Sequence, residues 1–139
     1  MKLIIFCLCA VAVVFAVAKE MFQLPPESLK KMHAVAYPCA QEFNIDPSYV
    51  RKVGDPDIFP RDEASNKFIH CFASKTGIVN ADGHMNADKL VSIIGDHPLA
   101  GAVREAIEIC NQITKEDPIA TTIAMHDCYG EKFPLRYVF

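Results

Sequence analysis

"PLAGAVREAIEICNQITKEDPIATTIAMHDCYG", residues 98–130, contains the clearest local evidence of how this chain folds. Pro98 stands where a helix can begin, because a first-turn residue has no intrahelical partner for its N–H and proline lacks that N–H. Leu99, Val103, Ala106, Ile107, Cys110 and Ile113 then recur at three- and four-residue spacing, the apolar stripe of an amphipathic helix. Asp117-Pro118 repeats the device, a capping carboxylate followed by proline, and opens a last helix expected to run through Phe133. Each of the two helices carries one cysteine on its apolar face, Cys110 and Cys128.

The same periodicity extends towards the N-terminus. Residues 27–43 set Leu29, Met32, Ala36, Cys39, Ala40 and Phe43 on one stripe. Asp46-Pro47 opens a short helix with Tyr49, Val50 and Val53 that stops at Gly54. After the proline-broken connector "DPDIFPRDE", residues 63–76 bring Phe68, Cys71 and Phe72 together and end at Gly77. "NADGHMNADKLVSIIG" reads as a turn into a short helix bearing Leu90, Val91 and Ile94. Pro134 ends the last helix and leaves "LRYVF" as an apolar tail. No segment sustains the period-2 alternation of a strand, so six helices and an all-α fold are expected.

The beginning of the chain indicates its compartment. Lys2 precedes the apolar run "LIIFCLCAVAVVF", and Ala16-Val17-Ala18 offers a small-x-small cleavage pattern before Lys19-Glu20. Such a run is short for a membrane span and has the layout of a secretory signal peptide, so residues 1–18 are expected to be removed and the product secreted. The remaining residues, 19–139, amount to one domain, expected to be a single helical unit. Cys7 and Cys9 leave with the leader, and four cysteines remain: Cys39, Cys71, Cys110 and Cys128. An even number in an oxidising compartment reads as two disulfides, with three possible connectivities. Removing Lys2 leaves 13 basic residues against 17 acidic, and no basic block stands out. Nucleic acid is therefore not an expected partner, nor is stable membrane insertion.

"AMHDCYG", residues 124–130, looks similar to the His-Asp-x-Cys-Tyr helix of secreted calcium-dependent phospholipases. Adjacent helical residues point about 100° apart, so His126 and Asp127 cannot act on each other as a dyad. The sequence also lacks the residue between Asp and Cys, the glycine-rich calcium loop and the dense cysteines of that scaffold. Cys128 is read as a structural staple and the chain as no enzyme. "NADGHMNADKL" has a calcium-loop flavour, but Ile78 stands where the first carboxylate belongs and Lys89 where the closing glutamate belongs. His33, His70, His84, His97 and His126 are dispersed without ligand spacing and read as surface or helix-end residues, so no metal and no cofactor is expected.

The spacing Cys39-x31-Cys71-x38-Cys110-x17-Cys128 resembles that of the insect odorant-binding proteins of the pheromone/general odorant-binding family. Val53 to Pro60 ("VGD…FP") and Cys71 to Leu90 ("CF…GIVN..G..N..KL") are similar to family text as well. Most members carry six cysteines; the positions of the second and fifth are occupied here by Lys67 and Ile119, so the chain looks like a Minus-C member that has lost one bridge whole. The resemblance implies bridges Cys39–Cys71 and Cys110–Cys128 and a six-helix domain around an apolar cavity. It also implies non-catalytic carriage of odorants, pheromones or other lipid-like molecules, with olfaction as one setting. A small hydrophobic molecule is the expected partner, and a chemoreceptor or a second copy of the chain are candidates beyond it.

Laid on the helical stripes, the resemblance places the cavity wall at Met32, Phe68, Phe72, Ile78, Met85, Val91, Ile94, Val103, Ile107, Thr122, Met125 and Tyr129. Tyr137, Val138 and Phe139 would join from the tail, residues 134–139. Each of these positions also reads as ordinary core. Some relatives carry a hydroxyl residue at the position of Ile78 that bonds alcohol ligands; with isoleucine there, a polar anchor would have to come from Thr122 or Tyr137. The alternative from another class is a secreted helical interaction or venom-type protein without a cavity, which displacement of an apolar fluorophore would distinguish.

Overall fold

The computed structural model describes residues 20–53, 59–133 and 135–138, and only the backbone of Glu20, Tyr137 and Val138. The expected leader, the helix stop at Gly54, Pro134 and the wall position Phe139 lie outside the described residues. Within them the chain forms five α-helices: α1 Pro26–Glu42, α2 Glu63–Lys75, α3 Ala87–Ile94, α4 Ala100–Cys110 and α5 Pro118–Lys132. A sixth helical segment, Pro47–Lys52, is wound as a 3-10 helix. No helix among the described residues is long and apolar enough to cross a membrane.

The helix ends follow the capping signals. Asp46 accepts from the Ser48 N–H, Asp62 from Ser65, Asn86 from Lys89 and Asp117 from Ala120, each supplying an oxygen to a donor that has no intrahelical partner. Asn44 takes φ 53° just beyond α1, where a short polar side chain tolerates the left-handed turn. Both ends of α4 differ from expectation, its start falling at Ala100 rather than at Pro98. The register that continues to Ile113 stops at Cys110, and Ile113 is 36% exposed. Asn111 caps the helix and spends its side-chain amide on the backbone of Met85, a tertiary contact that outweighs one more helical turn.

A second difference is a pair of strands. β1 (Glu20–Gln23) and β2 (Leu135–Val138) pair in parallel, with Glu20 opposite Leu135 and Gln23 opposite Val138. The segment before α1 thereby clasps the tail after α5. Four-residue strands are too short to reveal an alternation, and their pairing is non-local. Phe22 from β1 sets its ring edge-on against His97, centroids 5.4 Å apart.

Two buried clusters form the core. One gathers α1, the 3-10 helix and α2 around Met32, Cys39, Val50, Phe59 and Phe68. The other gathers α3, α4, α5 and the start of the tail around Leu90, Val103, Ile107, Met125, Phe133 and Leu135. Cys39–Cys71 staples α1 to α2, and Cys110–Cys128 staples α4 to α5, with Cα–Cα distances of 5.9 and 5.8 Å. Each bridge stays within one cluster. Ile78, on the loop after α2, packs against both.

Candidate ligand cavity

Between the two clusters lies a cavity of about 90 Å³ with an almost wholly apolar wall. Val53 closes one side from the end of the 3-10 helix. Ile69, Phe72 and Ala73 contribute one face of α2, at the i, i+3, i+4 spacing that a helix stacks on one side. Ile78, Val79 and Met85 come from the loop between α2 and α3, and Leu90 comes from α3. Thr122, Met125, His126 and Tyr129 form an i, i+3, i+4, i+7 stripe along α5.

The loop is fixed by polar contacts that keep its apolar side chains inward. The Asn111 amide donates to the Met85 carbonyl and accepts from the Met85 N–H, both at 2.9 Å, as a strand neighbour would. Val79 and Met85 form an isolated antiparallel bridge across the turn. Gly83, at φ +91°, lets that turn press onto the N-terminus of α5: a Cβ there would lie 2.3 Å from the Pro118 carbonyl oxygen. His84 Nε2 is 3.0 Å from the Ile113 carbonyl oxygen, tying the turn to the α4–α5 connector.

Thr122, His70 and His126 near the cavity are engaged with the protein. The Thr122 hydroxyl donates to the Pro118 carbonyl at 2.9 Å. With that proton spent, His70 Nδ1, 2.8 Å away, must be the donor to the Thr122 oxygen. His70 Nε2 then accepts from the Ser74 hydroxyl at 3.4 Å. Burial holds the His70 pKa below its ordinary value of 6.5, against the opposing pull of the Asp117 carboxylate. His126 donates from Nε2 to the Val53 carbonyl at 3.0 Å. Its neighbour Asp127 is turned to the surface, where it pairs with Arg61. The two residues of the phospholipase-like stretch thus serve separate faces of α5. Among the described residues, no group of three or more histidine, cysteine or acidic side chains is placed to hold a metal ion.

Six of the wall positions expected from sequence meet at this cavity: Phe72, Ile78, Met85, Thr122, Met125 and Tyr129. Met32 and Phe68 lie instead in the packed α1–α2 cluster, and Ile94, Val103 and Ile107 in the other. Val91 is half-buried on α3 and outside the lining. The side chains of Tyr137 and Val138, and Phe139 altogether, lie outside the described residues. Sequence reasoning missed Val53, Ile69, Ala73, Val79, Leu90 and His126. The signal for His126 was present, since it completes the α5 stripe, but its chemistry read as a surface or helix-end residue.

A model of the PBP/GOBP family matches residues 22–132. The chain is 30% identical over 95 residues to odorant-binding protein 10 of Aedes aegypti, across 67% of this chain and 66% of the relative. It is 26% identical over 103 residues to general odorant-binding protein 57c of Drosophila melanogaster, across 68% and 67%. The matches therefore span about two thirds of these relatives' lengths. Among solved structures, odorant binding protein 7 from Anopheles gambiae, which has four disulfide bridges and was solved with an azo compound, superposes with a TM-score of 0.63 at 25% identity, covering 78% of this chain and 88% of that one. The fatty acid binding protein OBP56a from the oral disk of the blowfly Phormia regina shares the fold at a TM-score of 0.65 and 20% identity, covering 80% and 96%.

Proposed function

The chain belongs to the PBP/GOBP family, that of the insect odorant-binding proteins, and we propose from this that it is an exported, non-catalytic carrier of small hydrophobic molecules held in the cavity between its two core clusters. The observation that carries the reading is the cavity: an apolar wall supplied by both clusters at the seam where neither disulfide crosses. Burial of apolar surface supplies the binding energy, ~25 cal/mol for each Å² removed from water.

At about 90 Å³ the space is smaller than the ~150 Å³ void that accepts benzene in a well-studied protein interior. A ligand of ten or more heavy atoms therefore enters by moving wall side chains. Met85 and Met125, both from the α3–α5 cluster, line this space, and their unbranched thioether chains repack more readily than branched residues would. The surviving bridges each hold one cluster together and leave the seam between them to noncovalent packing.

Titration of refolded residues 19–139 with N-phenyl-1-naphthylamine tests the proposal. A saturable rise in emission, reversed by small hydrophobic competitors, is the expected result. No saturable binding at micromolar probe would overturn the carrier reading.

A further inference from the structure

A ligand entering the cavity finds the Thr122 hydroxyl, the His126 Nε2–H and several backbone groups of the loop already engaged. The Thr122 hydroxyl has given its proton to Pro118 and receives one from His70. The His126 Nε2–H is spent on the Val53 carbonyl. On the loop, the Met85 N–H and carbonyl are both taken by Asn111, the Ile78 carbonyl accepts from the Asn86 N–H at 2.8 Å, and the Val79 N–H donates to Ala73 at 3.1 Å. The Tyr129 hydroxyl oxygen exposes less than 1 Å² of surface, so it does not reach into the open volume. Wall oxygen and nitrogen atoms contribute almost nothing to the cavity surface.

We propose that the cavity selects ligands lacking a hydroxyl or carboxyl group, hydrocarbons foremost, and discriminates against alcohols and carboxylic acids of the same carbon skeleton. The inference rests on the carrier reading and names the ligand class for the same cavity. A hydroxyl brought into this space leaves water's hydrogen bonds behind and meets a wall with almost no oxygen or nitrogen surface, which weakens binding at least about tenfold. An ionised carboxylate loses more, because bringing a charge against an apolar wall costs more than bringing a hydroxyl. Ile78 is the decisive side chain: it stands in the lining with no hydroxyl to offer, on the loop after α2, and packs against both clusters.

The test is competition of 1-octene, 1-octanol and octanoic acid against N-phenyl-1-naphthylamine, on the wild-type protein and on Ile78→Thr. Octene should displace the probe at least about tenfold more strongly than octanol, with octanoate weaker still at neutral pH. In Ile78→Thr the added hydroxyl gives the alcohol a partner, so the octene-to-octanol ratio should fall. Octanol equal to or stronger than octene on the wild type would overturn the inference, as would an unchanged ratio in Ile78→Thr. Probe binding with either of those results leaves the carrier reading intact; absence of probe binding defeats the carrier reading itself.

Discussion

His70 on α2 and Thr122 on α5 are joined by a 2.8 Å hydrogen bond beside the cavity. This contact connects the same two helices that carry Lys67 and Ile119. A titratable hydrogen bond therefore spans the α2–α5 pair.

That contact makes stability depend on pH. Burial lowers the His70 pKa in the folded protein, so the unfolded chain binds the proton more readily. Stability is then lost as pH falls through the unfolded value of 6.5 and on to the lower folded one. The lowered carboxylates Asp46, Asp62, Glu63 and Asp82 lose their contributions only below their ordinary values near 4, outside this window. Thermal melting at pH 7.5 and 5.0 should show a drop for the wild type that His70→Gln reduces. Equal drops in both proteins would remove His70 from the account.

Gly83 should tolerate no side chain. Its φ of +91° disfavours any L-residue, and the new methyl would meet the Pro118 carbonyl at 2.3 Å. Gly83→Ala is expected to cost more than ~1 kcal/mol in urea unfolding. It should also weaken ligand binding, because the turn carries Met85 into the cavity wall. A variant as stable as wild type would mean that the turn does not press on α5 as described.

Met125, 1% exposed, is both core and cavity wall. Truncation to alanine should cost ~2–5 kcal/mol of stability and enlarge the void. Bulky ligands should then gain affinity relative to small ones, read as a change in the order of competitors in the displacement assay. An unchanged order would separate Met125 from the binding volume.

Peptide mapping without reduction should recover Cys39–Cys71 and Cys110–Cys128. Replacing Cys110 and Cys128 with alanine opens a loop of sequence separation 18, for which chain entropy gives a loss of about 3 kcal/mol. A Cys39–Cys110 peptide would contradict the described packing of α1 against α2.

Much of this architecture was legible because helices report themselves locally. Caps at Asp46 and Asp117, with Pro47 and Pro118 behind them, mark starts that the structure reproduces. The β1–β2 clasp was not legible, since its two four-residue strands stand at opposite ends of the described chain. The end of α4 was misread because the Asn111–Met85 contact is tertiary and leaves no periodic trace. The cavity shows the sharper limit. Periodicity identifies a buried face, and Phe68 and Phe72 share one on α2. Only Phe72 borders open space, while Phe68 stacks against Phe59 at 5.5 Å. Whether a buried side chain meets a void or a neighbour depends on the opposing element, which no single stripe contains.

The central claim is that the ligand sits between the clusters, and the methionine methyls report on it directly. With ¹³C-methyl methionine in residues 19–139, Met85 and Met125 line the cavity, Met32 lines an open cleft with Lys31, Lys75 and Lys89, and Met21 is 63% exposed. Titration with N-phenyl-1-naphthylamine should shift the Met85 and Met125 resonances together and saturably, and leave Met21 and Met32 in place. A saturating shift confined to Met32, or none at either cavity methionine while the probe binds, would contradict the account.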